Sequence, residues 1–185
     1  MARSGVSLVV AALMTGLVLV APDAARSEQA LLVSTPPGFK MAWSHATPDG
    51  AMKMMEYVPE GQTVESWQQM ITVQHFPKLA AADPVALLGS WTQKLVSVCP
   101  KAQVSRAPQA PVNGHAAVRV YVHVAECGTR APESILAVMI KGEDAMHMIQ
   151  HAWRPQPPTR EQLQAAMGGF DRARLCRAGD AACAK

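Results

Sequence analysis

The stretch EYVPEGQTVESWQQMITVQHFP, Glu56 to Pro77, decides how this chain is read. Its opening residues finish the run MKMMEYV, and its close, MITVQHF, is rich in residues that favour strands. Between the two runs Pro59, Glu60 and Gly61 interrupt any regular element. The stretch therefore builds a sheet, and it contains no catalytic signature. Within it TVESW is expected to make one helical turn, with Thr63 three residues ahead of Ser66 as a weak cap.

Working outward, KMAWSHA and AMKMMEYV flank TPDG, whose Pro and Gly have the chemistry of a tight turn, so a hairpin precedes the third strand. Earlier still, LLVSTPPGF is an extended approach, because consecutive prolines exclude a helix. On the other side AADPVALLGSWTQKLVSVC reads as the clearest helix: Asp83 can cap it, Pro84 suits its first turn, and Leu88, Trp91, Leu95 and Val98 recur at helical spacing. Pro100 stops it.

AQVSRA and a turn at Asn113 and Gly114 lead into AAVRVYVHVAEC. There Val118, Val120, Val122 and Val124 alternate with Arg119, Tyr121 and His123, as in a strand with one buried face. SILAVMIK and AMHMIQHAW surround GED and are expected to pair antiparallel, with Gly142 in the tight turn. Thr159 and Gln162 form a capping box ahead of a last helix, LQAAMGGFDRARLC, which Gly168 and Gly169 weaken by about 1 kcal/mol each. The order of strands, helix, strands and helix predicts an α+β domain: an antiparallel sheet with two main helices packed on it, both on one face.

Arg3 followed by VSLVVAALMTGLVLVA, then Pro, Asp and small residues, has the layout of a secretory signal over residues 1–27, leaving a single domain at 28–185. A retained N-terminal anchor is the competing reading, and either places the rest of the chain outside the cytoplasm, in the periplasm. No later run is long enough to span a membrane. The formal charge of +3 is too mild to argue for nucleic acid, and the 49% hydrophobic content supports a real core. The four cysteines, an even number in an exported chain, are expected to oxidise. Of the three possible pairings, Cys99 with Cys127 and Cys176 with Cys183 is favoured, since the latter closes a short loop and the former joins a helix end to a strand end. A thiol metal site would need close-spaced pairs, and no C-x-x-C occurs.

The run VPEGxTxxxWxxMxTVQ from Val58 to Gln74, the pair Cys99 and Pro100, IKGEDAMHMIQHAWR from Ile140 to Arg154, and the closing Cys176 and Cys183 resemble a family of small exported proteobacterial proteins of unknown function. The order of elements also resembles the PsbP-like fold of photosystem II extrinsic proteins and their bacterial periplasmic relatives. That resemblance implies a binding or assembly role.

Three functional readings follow. The first is a non-catalytic periplasmic module that binds an unknown envelope protein or ligand, as a monomer and with no cofactor, through Trp67, Gln74, Trp153 and Arg154. Trp and Arg dominate recognition surfaces, and Trp153 at a strand end is expected near a sheet edge. The second is copper binding, since the chain has 11 Met and 6 His. Met52 and Met54 share a strand face, as do Met146 and Met148, each pair about 6.6 Å apart; His147 and His151, about 13 Å apart, lie on the other. Packing of these methionines against the helix layer is the stronger reading, and no metal site is assigned. The third is a small hydrolase. Glu56, Glu60, Glu65 and Glu126 supply candidate carboxylates, although no G-x-S-x-G, H-E-x-x-H or Walker loop is present.

Overall fold

The computed structural model describes residues 28–180. The expected signal segment and Cys183 lie outside the described residues. In chain order the elements are β1 (Ala30–Leu32), β2 (Phe39–Ala46), β3 (Lys53–Pro59), β4 (Gln69–Phe76), α1 (Pro84–Val98), β5 (Gln103–Arg106), β6 (Ala117–Val124), β7 (Glu133–Lys141), β8 (Met146–Trp153), α2 (Arg160–Asp171) and β9 (Arg174–Cys176). A 3-10 turn, Pro77–Leu79, follows β4.

Two antiparallel meanders make the main sheet, whose order is β2-β3-β4-β8-β7-β6-β5. β2, β3 and β4 form one meander, β6, β7 and β8 the other, and the pairing of β4 with β8 joins them. The β2–β3 hairpin turns through TPDG as its residues require: Gly50 holds a φ of 68° and donates its N–H to the Thr47 carbonyl at 2.9 Å. α1 then carries the chain from the middle of the sheet to β5 at its far edge. The Asp83 side chain accepts from the Ala86 N–H at 2.8 Å, with Pro84 opening the helix. Both bonds of the Thr159–Gln162 capping box are present, and α2 runs unbroken through Gly168 and Gly169.

The α+β architecture is the one read from the sequence, but the helices lie on opposite faces rather than on one. Met139 pairs with Met148 and packs on the side of Leu88 from α1; Val138 pairs with Ile149, on the side of Ala166 and Phe170 from α2. A one-sided sheet alternates buried and exposed residues, whereas β7 is buried at every position from Ser134 to Ile140. The continuous apolar run SILAVMI is the sequence trace of this double cover. For the same reason Arg119, placed by alternation on the outer side of β6, is 3% exposed under α2, where its guanidinium donates to the Asp171 carboxylate at 2.7 Å.

TVESW forms no helical turn. Thr63 and Ser66 instead exchange backbone hydrogen bonds of 3.1 and 3.2 Å, folding the β3–β4 connection into a tight bend. The expected Cys99–Cys127 disulfide is present, with Cα atoms 4.9 Å apart, and pins the end of α1 to the loop after β6. β1 and β9 pair as a separate two-stranded ribbon, whose Leu31 and Leu175 close the α2-side core. No helix among the described residues is long and apolar enough to cross a membrane.

Candidate functional site

α1 packs on β6 and β7, and the same face continues across β8, β4, β3 and β2 toward solvent. Period-2 alternation sets what this open part presents. One cross-strand row reads Trp43, Glu56, Thr72, Gln150; the next reads His45, Met54, Gln74, Met148. At the edge, β2 is exposed from Lys40 to Ala46, with the Trp43 ring stacked on His45.

The β3–β4 bend brings Trp67 over one end of this face. Arg154, just beyond β8, lays its guanidinium carbon 4.2 Å from the Trp67 ring centroid. It is held there by Glu133, whose carboxylate accepts from both Nε and Nη2, and by its own N–H bond of 2.9 Å to the Gln68 carbonyl. Beneath the pair lies a hollow of about 310 Å³ lined by Glu56, Trp67, Thr72, Glu133, Gln150 and Arg154. Burial pushes the Glu56 carboxyl up from the usual carboxylate range, and among the described residues it has no hydrogen-bond partner. Two carboxylates against one guanidinium leave the hollow with an excess of negative charge.

Gln74 sits further along the face. Its Nε2 points at the sulfurs of Met54 (3.3 Å) and Met52 (3.7 Å), and its Oε1 accepts from Gln150 Nε2 at 2.9 Å. It also borders a second hollow of about 290 Å³, against Trp91, Lys94, Met139 and Met148. Register separates Gln74 from Arg154 by six strand positions, about 20 Å, and Gln150, which donates to Gln74 and lines the hollow under Arg154, lies between them.

Trp153 is elsewhere. β8 is the central strand of seven, so its end meets no sheet edge, and Trp153 faces α2. Its ring is 2% exposed and stacked on His151 at 4.2 Å between centroids. Of the four residues expected at a docking surface, Trp67, Arg154 and Gln74 share one face and Trp153 belongs to the core behind it. Sequence reading passed over Gln150, although AMHMIQHAW carries it as the polar member of an otherwise apolar alternation of Met146, Met148 and Ala152.

The copper set is divided by the sheet. Met146 and Met148, 0% and 1% exposed, pack in the α1-side core, while His147 and His151 face the other way. The methionines and these histidines cannot share an ion. Of hydrolytic elements, His75 meets the Glu28 carboxylate and His123 meets the Ser134 hydroxyl, in two separate pairs.

On the α2 side a more apolar hollow of about 380 Å³ lies between the 33–37 segment, α2 and the sheet, with Ile71, Ile149 and Phe170 as walls. Gln69 and His151, 3.2 Å apart between Oε1 and Nε2, are its polar floor. Burial depresses the His151 pKa to about 4, so the ring is neutral at physiological pH.

A protein-family model, that of an uncharacterised family, matches residues 38–106, from the start of β2 to the end of β5. No curated protein matches the chain in sequence. Among solved structures, the chain is similar to PA94, a Pseudomonas aeruginosa protein of unknown function, with a TM-score of 0.45 at 11% identity over 78% of this chain and 92% of that one. It is similar to LpqN, involved in cell envelope biogenesis of Mycobacterium tuberculosis, with a TM-score of 0.44 at 9% identity over 83% of this chain and 87% of that one. A variant of the protein Mog1 gives a TM-score of 0.42 at 15% identity over 79% and 86%.

Proposed function

We propose that this protein is a non-catalytic periplasmic binding module that holds another envelope protein against the open face of its sheet, at the hollow under Trp67 and Arg154. The observation that carries the reading is Glu56, a half-buried carboxylate without a partner, in a hollow whose one cation is already engaged by Glu133 and Trp67. Such a hollow is matched by a basic side chain on the partner, with Trp67 and the exposed Trp43 ring supplying apolar contact. The expected export signal and the Cys99–Cys127 disulfide support a periplasmic setting, and the PsbP-like reading of the fold belongs to the same proposal.

Crosslinking in the native envelope tests it. A protein partner captured by the unaltered chain should be lost with Trp67→Ala, Arg154→Ala and Glu56→Gln, each checked for retained fold, and kept with a distant control, Glu126→Gln. A partner that survives all three changes places the interface elsewhere and overturns the proposal.

A second reading rests on the hollow beside α2, whose volume and apolar walls of Ile71, Ile149 and Phe170 suit a small apolar ligand. Gly169 lines it and has open space where a side chain would project. Gly169→Leu should fill the hollow and abolish saturable binding of an apolar fluorescent probe. Unchanged probe binding would remove this reading.

A further inference from the structure

Gly168 and Gly169 both lie within α2, where each costs the helix stability, and both are used at the hollow beside it. Gly169 lines that hollow and leaves open space where a side chain would project. Gly168 makes room for Arg172: a Cβ on Gly168 would stand 3.2 Å from the Arg172 Nη1. The guanidinium therefore lies back along the last turn of α2, the direction in which helical side chains lean, and Arg172 joins the lining of the hollow.

Arg172 is exposed, and among the described residues it has no ion-pair partner. Asp171, its neighbour in sequence, is held by the buried Arg119 guanidinium at 2.7 Å. A cation near the carboxyl end of a helix offsets the helix dipole, but that role needs only solvent around it and no place on a hollow. The rest of the lining is uncharged. Ile71, Ile149 and Phe170 are its walls, and on the floor Gln69 and the neutral His151 ring satisfy each other at 3.2 Å. Ser34 and Thr35 add hydroxyls from the 33–37 segment, and these donate to an anion as readily as to water.

A ligand that complements this arrangement has an uncharged apolar body and one negative charge at one end. The planar guanidinium pairs with a carboxylate through two parallel N–H bonds, and a single cation balances a single such group. A volume of about 380 Å³ suits a small molecule.

We propose that the hollow beside α2 binds a small amphipathic carboxylate, with its alkyl chain between Ile71, Ile149 and Phe170 and its carboxylate on Arg172 at the rim. This rests on the reading of the hollow as a small-molecule site, and it adds the ligand's charge, headgroup and orientation.

Calorimetric titration at neutral pH with octanoate, octanol and octylammonium tests it. Octanoate should bind about tenfold more tightly than octanol, and octylammonium more weakly than either. Arg172→Gln, a surface change whose fold circular dichroism checks, should bring octanoate down to the affinity of octanol and leave octanol as it was. Added salt should narrow the gap between octanoate and octanol in the unaltered protein and not in Arg172→Gln. Equal affinities of octanoate and octanol in the unaltered protein, or octanoate binding that survives Arg172→Gln, would overturn the assignment of Arg172 and leave the apolar hollow standing. Absence of octanoate binding refutes the proposal outright, and if the apolar fluorescent probe also fails to bind, the reading of the hollow falls with it. Preference for phosphatidylglycerol vesicles over free octanoate would replace the carboxylate with a lipid phosphate.

Discussion

The Arg154 guanidinium stacks over the Trp67 ring at 4.2 Å while donating to Glu133, so a residue beyond the central strand fastens the β3–β4 bend to the sheet. Stacking of this kind at a half-exposed site contributes about 0.5–1 kcal/mol. A double-mutant cycle on Trp67→Ala and Arg154→Ala, measured by urea denaturation, should return a coupling of about that size. Arg154→Lys should keep the ion pair with Glu133 and lose most of the coupling to Trp67, because an ammonium lacks the planar fork. A cycle that closes to zero would mean that the bend is held by its backbone bonds alone.

Met148 is a packing residue of the α1-side core. It is 1% exposed and pairs with Met139 on one side and Gln74 on the other, within the core under α1. Met148→Ala should lower stability by about 2–5 kcal/mol. A loss well below that range would mean that the core under α1 closes over the missing side chain.

Local chemistry made much of this fold legible. The Asp83 cap, the Thr159–Gln162 box, the TPDG turn and the pairing of β7 with β8 each depend on residues close in sequence, and each forms as its residues dictate. What escaped was long-range. Which side α2 takes depends on where β8 inserts, and insertion beside β4 turned the expected edge residue Trp153 into core. Likewise His75 and His147 are 72 residues apart and become neighbours only through the β4–β8 register. Gly142 was read as a turn former, yet its necessity lies in the close approach of Gln29 and His147, which no local pattern announces.

The Cys99–Cys127 disulfide closes a loop across 28 positions. A loop of that length corresponds to about 3–4 kcal/mol of unfolded-state entropy. The paired Cys99→Ala and Cys127→Ala variant should therefore unfold at lower urea concentration by a matching amount while keeping the far-ultraviolet circular dichroism of the native protein. Alkylation of the native protein without reductant should label neither residue; labelling of either would contradict the bond.

His151 gives the molecule an acid-sensitive component of stability. Its ring is 6% exposed, stacked on Trp153 and met edge-on by Phe39, with Gln69 as its hydrogen-bond partner. Burial lowers its pKa from 6.5 to about 4. Below pH ~6.5 the unfolded chain takes up a proton at this position that the folded chain refuses until pH ~4, so stability is full above the unfolded pKa and falls through that window. Between pH ~7.5 and pH ~5 the loss from this one group is about 2 kcal/mol. Urea titrations across that range should show a shallower decline for His151→Gln than for the unaltered protein, whatever the variant's absolute stability. All other ionisable groups are common to both chains, so parallel slopes would mean that His151 is protonated without penalty in the fold.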